Sequence, residues 1–181
     1  MSYQSFEQVL QKCHTEEKEF WRVILEDDMA ERNVSEEDSM EHMRATWDAM
    51  LLAAATYEGN LNSSSGLVGG DGRRMEEYTR SAGTKSLCGE YVDTCIAGAL
   101  QMGESNACMK RIVAAPTAGA CGVLPAVLVP YFQKRCKDTD KILKAMYVAA
   151  GIGQIIATRS SISGAAGGCQ AEIGSASSIA A

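Results

Sequence analysis

Histidine is nearly absent from this chain: His14 and His42 are the only two in 181 residues, and both sit in charged stretches. A Ser-His-Asp or Cys-His site built inside the chain therefore has little to work with. Seven cysteines are present (Cys13, Cys88, Cys95, Cys108, Cys121, Cys136 and Cys169), yet no Cys-x-x-Cys pair occurs. The sequence thus contains no self-contained zinc or iron–sulfur motif. Their number is odd and the chain is too long to need disulfide staples, so they read as free thiols of a reducing compartment, most of them small core hydrophobes. Aromatic residues make up only 6%, which leaves aliphatic side chains and alanine to fill a core supported by 46% hydrophobic content. No basic cluster is visible and the net charge is −6, which excludes a nucleic-acid partner. No stretch reaches the roughly 18 apolar residues of a membrane span. The first thirty residues carry Glu16, Glu17, Lys18, Glu19, Glu26, Asp27 and Asp28, unlike a signal peptide. Neither GxGxxG nor GxxxxGK[ST] occurs, so no nucleotide is implied. These absences leave a soluble, cytoplasmic protein, read as a single domain over residues 1–181.

What is there is helical. From Thr15 onward, Phe20, Trp21, Ile24, Leu25 and Met29 form one stripe on a 3.6-residue period. Asn33 and Val34 interrupt it, and Ser35 followed by Glu36, Glu37 and Asp38 reads as an N-cap with an acidic first turn. Met40, Met43, Trp47, Met50 and Leu51 continue a second stripe, with Gly59-Asn60 predicted to end it. Residues 59–74 (GNLNSSSGLVGGDGRR) read as a long loop. Helical patterning returns at 75–78 and again at 87–102, where Tyr91, Val92, Cys95, Ile96, Ala99 and Leu100 share a face. Pro116 breaks the chain after the apolar run 112–115, the only run that could pass for a strand. A buried helix is expected from Val123, with Pro125 in its first turn. A polar break at 138–141 precedes a second buried helix over 142–157. The fold class is all-α, a multi-helix domain with Gly/Ser-rich turns between helices.

Three such turns stand out, at residues 63–72, 116–122 and 163–168, each running into a helix. Exposed N–H groups and the helix dipole at such a turn suit a carboxylate or phosphate. Close packing of helices accounts for the same glycines. Cys121 and Cys169 lie in or beside two of the turns, where a thiol is acidified and ready to bind metal. Spacing alone supplies neither with a second and third ligand.

Residues 111–128 (RIVAAPTAGACGVLPAVL) and 163–181 (SGAAGGCQAEIGSASSIAA) closely resemble the alpha part of bacterial iron–sulfur L-serine dehydratases, and residues 63–72 (SSSGLVGGDG) resemble a third signature of that family. The resemblance implies conversion of L-serine to pyruvate and ammonia without pyridoxal phosphate. It implies a helical alpha part holding a 4Fe–4S cluster on three cysteines, with one iron open as a Lewis acid for the substrate hydroxyl. It places the first ligand at Cys169; the other two belong to a CDPxxG-type motif and a later cysteine, neither of which occurs in these 181 residues. The chain stops at Ala180-Ala181 inside a helical run with no cap, and so reads as the N-terminal part of a longer alpha subunit. By itself it is expected to hold no cluster and to be inactive.

Within that resemblance, the loops at Ser64, Ser65 and Gly66 and at Thr117, Ala118 and Gly119 are the choice for gripping the substrate, since their hydroxyls and N–H groups suit a carboxylate and an amino group; tight inter-helix turns account for the same residues. Cys121 is expected to support its loop, Lys85 to be a surface lysine, and Glu172, one turn beyond Cys169, to orient a neighbour. No catalytic base is identified; a companion beta subunit or domain is expected to supply it. Homo-oligomerisation through uncovered apolar faces is a further expectation. A lyase acting on cysteine or threonine, or a non-catalytic helical assembly protein, fits the same turns.

Overall fold

The computed structural model describes residues 3–181. It contains eight α-helices and, among the described residues, no strand. None of these helices is long and apolar enough to cross a membrane. The chain forms two compact units, Met1–Trp47 with Asp138–Ala181, and Asp48–Lys137.

In the first unit, α1 (Phe6–Glu16) is capped by the Ser5 hydroxyl, which accepts from Gln8 N–H, and is closed by Glu17 in the left-handed region at φ 52°. This break divides the first third of the chain, where the sequence stripe starts at Thr15. Helix α2 (Phe20–Arg32) begins only at Phe20 and ends on Asn33, the interruption visible in the sequence. Ser35 starts α3 (Glu36–Ala55) with a reciprocal cap: its hydroxyl accepts from Asp38 N–H at 3.1 Å, and its own N–H donates to Asp38 Oδ2 at 3.3 Å. Helix α7 (Thr139–Arg159) is capped by Asp138, so the polar break predicted over 138–141 shrinks to the cap. Val9, Val23, Ile24, Leu25, Tyr147 and Ile155 form the core. Helices α2 and α7 approach closely at Gly151, where a Cβ would stand 2.6 Å from Ile24 Cγ1. Helix α8 (Gly164–Ala180) packs on α7 and buries Ser175, Ala176 and Ile179.

The second unit holds the end of α3, then α4 (Asp71–Ala82), a 3-10 turn (Gly83–Lys85), α5 (Gly89–Ala107) and α6 (Val123–Tyr131), which runs into a π-helical turn (Phe132–Cys136). Two boundaries and one face differ from the sequence reading. Helix α3 stops at Ala55, short of Gly59, and α4 begins within the predicted loop, at Asp71. Residues 112–115 are irregular and form no strand. On α5 the buried face carries Asp93, Ala97, Met102, Glu104 and Ser105, while the apolar Val92, Ile96 and Leu100 are each more than a third exposed. Helix α6 is buried at Leu124, Pro125, Ala126, Leu128, Val129 and Pro130, while its Val127 and Tyr131 are each more than a third exposed, so the all-round burial read from its apolar composition holds on one side only. Of the five cysteines read as core, Cys88 is exposed and Cys13, Cys95, Cys108 and Cys136 are half-buried.

Candidate functional site

Two of the three Gly/Ser-rich turns hang on the C-terminal end of α5. The first closes on itself. Gly66 N–H donates to Ser63 O at 2.9 Å, Ser63 N–H to Val68 O at 2.8 Å, and Val68 N–H to the Ser63 hydroxyl at 3.1 Å. The Ser63 and Ser65 hydroxyls are 3.1 Å apart. Ser64, Ser65 and Gly66 are exposed; the Gly66 N–H is engaged within the turn, and the Ser65 hydroxyl also accepts from Leu67 N–H at 3.4 Å. Gly69 has no room for a side chain, since a Cβ would lie 2.3 Å from Leu61 O.

Helix α4 then starts at Gly70 with no side-chain cap of its own. Glu104 of α5 fills that place. Its Oε1 accepts from the N–H groups of Asp71 at 2.5 Å and Gly72 at 3.0 Å, and its Oε2 accepts from the Tyr57 hydroxyl at 2.5 Å. Glu104 is 2% exposed. Burial pushes its pKa up, but the Tyr57 hydroxyl and the N–H groups of Gly72, Asp71 and Gly70 favour the ionised form more strongly, and the net shift is downward. Burial and the same bond to Glu104 push the Tyr57 hydroxyl well above its ordinary value. The anion site expected at the head of α4 is thus occupied by the protein's own carboxylate.

The second turn is tied to the same end of α5. Asn106 Nδ2 donates to Ala118 O at 3.0 Å, and Cys121 N–H donates to Ala118 O at 3.2 Å. Ala118 and Gly119 are exposed and Thr117 is half-buried. Cys121 is fully buried, its thiol facing Met102 O at 3.8 Å and its pKa raised by burial. It packs with Ala53 and Met102, which suits the supporting role read from the sequence. Gly122 lets the turn press on α5: a Cβ there would meet Ala99 O at 2.7 Å.

The third turn belongs to the other unit. Helix α8 is broken at Gly168, whose φ of 77° and ψ of 168° leave the helical region, so Cys169 heads a new helical segment and is exposed. Glu172 folds back over the start of α8, where its Oε2 would lie 3.0 Å from a Cβ on Gly164. Among the described residues, no group of three Cys, His, Asp or Glu side chains converges to hold a metal. Lys85 is exposed on the 3-10 turn, and His14 and His42 are exposed on α1 and α3.

A cavity of about 310 Å³ lies between α4, α5 and α6, floored by Ala97, Gly98 and Ala126. None of the residues expected at the site lines it, and its cations are paired with its own anions, Arg80 with Glu76 and Lys134 with Glu90. Sequence reasoning missed Glu104, Tyr57 and Asn106. The available signal was Glu104 itself, an acidic residue on the face of α5 shared with Ala97.

The Serine dehydratase alpha chain family model matches residues 15–181. The chain is 36% identical to the probable L-serine dehydratase alpha chain of Bacillus subtilis, over 88% of this chain and 52% of that one. It is 34% identical to the L-serine dehydratase alpha chain of Peptoniphilus asaccharolyticus, over 96% and 59%. With the L-serine dehydratase of Haemophilus influenzae it shares 32% identity, over 99% and 40%. No solved structure matches. The chain spans little more than half the length of the two alpha chains, and with the family model covering nearly all of it, it belongs to the serine dehydratase alpha chain family.

Proposed function

We propose that the enzyme to which this chain belongs eliminates water from L-serine, yielding pyruvate and ammonia, and that Cys169 is one ligand of its 4Fe–4S cluster. The observation that carries the ligand assignment is the contrast between two turn cysteines. Cys169 is an exposed thiol heading a helical segment, whereas Cys121 is buried in the core. An exposed thiol can be reached by a metal, whereas a thiol buried in the core is inert. Such a cluster would supply a Lewis acid for the departing hydroxyl; its remaining ligands lie outside the residues described.

This chain's own contribution is binding. The exposed hydroxyls of Ser64 and Ser65, with Gly66 between them and the α4 head, and the turn of Thr117, Ala118 and Gly119 suit the carboxylate and ammonium of an amino acid. A base removes the α-proton while the β-hydroxyl leaves as water. The resulting aminoacrylate tautomerises to an imine, and a second water hydrolyses it to pyruvate and ammonium. No histidine lies in the three turns, and the relatives' designation as alpha chains supports a companion beta chain as the source of the base. The cytoplasm is the compartment that suits seven free cysteines.

The test uses the complete enzyme with its partner chain, prepared anaerobically and assayed with L-serine, L-threonine and L-cysteine. Pyruvate from serine at the highest kcat/KM is expected. Preference for either competitor would overturn the substrate assignment, and inactivity on all three would favour the assembly-protein reading. Cys169→Ala is expected to abolish the cluster absorbance together with activity; a normal cluster in that variant would sink the ligand assignment.

A further inference from the structure

We infer that Glu104 is a positioning residue: from α5 it holds the head of α4, and with it the turn that presents Ser64 and Ser65 to the substrate. This rests on the reading that the turn binds L-serine.

Three observations carry it. Glu104 is 2% exposed on α5, where an apolar side chain would serve helix packing as well or better, because a buried carboxylate must have its lost hydration replaced bond for bond. Its acceptor sites are aimed at consecutive N–H groups of the loop-to-helix junction, Asp71 and Gly72, and at Tyr57. The junction is also seated without slack. A Cβ on Gly72 would lie 2.7 Å from Gln101 Cγ, and 3.0 Å from both Gln101 N and the Tyr57 hydroxyl. Since residues 63–68 close a ring of their own hydrogen bonds, the turn moves as a body, and the junction at Gly70–Gly72 determines where that body stands on α5. Charge-assisted bonds are about twice as strong as neutral ones, so the ionised acid fixes the junction more firmly than an amide of the same shape.

The experiment is Glu104→Gln in the complete enzyme, with Tyr57→Phe as a second variant that leaves the carboxylate in place. Displacement of the turn weakens substrate binding, so KM for L-serine is expected to rise about tenfold with kcat within about twofold, and Tyr57→Phe to raise KM about threefold. Amide exchange at Asp71 and Gly72 is expected to accelerate in Glu104→Gln. A merely structural role would instead lower the melting temperature and the active fraction, with KM unchanged; that result overturns the inference, as does unaltered amide exchange. If the unsubstituted enzyme makes no pyruvate, the serine reading fails, while exchange at Asp71 and Gly72 still decides whether Glu104 holds the junction.

Discussion

The hydroxyls of Ser39 and Tyr147 meet at 2.7 Å across 108 residues of sequence, and the direction of the bond between them is fixed by a third group. Ser39 Oγ also stands 2.6 Å from Asp28 Oδ2. A carboxylate only accepts, so Ser39 gives its proton to Asp28, and Tyr147 must donate to Ser39. Both hydroxyl residues are 1% exposed. Ser39→Ala leaves a buried phenol without its acceptor and is expected to cost about 1–3 kcal/mol, whereas Tyr147→Phe, which leaves the Ser39–Asp28 bond intact, costs about 0.5–1.5 kcal/mol. The double variant should fall short of the sum. Urea unfolding followed by circular dichroism measures all three, and strict additivity would contradict the relay.

Glu104 and Tyr57 impose opposite signs at the two ends of the pH scale. The Glu104 pKa is lowered from 4.5 on folding, so its ionised form contributes stability above that value, which is lost as pH falls through the lower folded value. The Tyr57 pKa is raised from 10.0, so its contribution is complete below pH 10 and lost as pH rises through the higher folded value. The stability gap between wild type and Glu104→Gln should therefore close as urea midpoints are measured from pH 6 downward. Wild type should lose stability above pH 10 more steeply than Tyr57→Phe. A gap independent of pH on the acid side would contradict the carboxylate's ionised role.

Two glycines of the second unit are predicted to behave oppositely. A Cβ at Gly122 would meet the backbone oxygen of Ala99 at 2.7 Å, a contact no side-chain rotation relieves. Gly122→Ala is expected to destabilise by about 1–3 kcal/mol, as other forced overpacking does. Gly103 lies within α5, and a Cβ there meets nothing within 4 Å. Gly103→Ala is expected to stabilise by about 0.5–1 kcal/mol through helix propensity. Thermal melts of the two variants should move in opposite directions.

The all-α class, the cap at Ser35, the break at Asn33 and the first two turns running into helices were legible because each depends on a few neighbouring residues; the third, read over 163–168, is instead helical from Gly164 and broken at Gly168. The exposed side of α5 was not. Val92, Ile96 and Leu100 form an apolar stripe by spacing, yet the packed face is the one with Asp93, Ala97 and Glu104. Burial of Glu104 depends on Asp71, Gly72 and Tyr57, which are 32 to 47 residues away in sequence. Periodicity carries no such long-range information, so an acidic residue in a helix reads as solvated. The same limit applied to the anion site at α4, where the N–H groups were visible in the motif but the carboxylate occupying them was not.

Gly168 supplies the last test, because its backbone rather than its side chain sets the position of Cys169. At φ 77° and ψ 168° it occupies a region reserved almost wholly for glycine, and an L side chain there costs on the order of 1–3 kcal/mol. Space is not the obstacle, since a Cβ at 168 meets nothing within 4 Å. Gly168→Ala therefore favours relaxation of the break, which would carry Cys169 away from the head of its helical segment while leaving the thiol present. On the proposed ligand role, the complete enzyme bearing Gly168→Ala should assemble several-fold less cluster per chain, with its helical content within about 5% of wild type because only one junction changes. Gly103→Ala provides the matched control with undiminished cluster. Equal cluster content in Gly168→Ala and wild type would show that the break does not position the ligand.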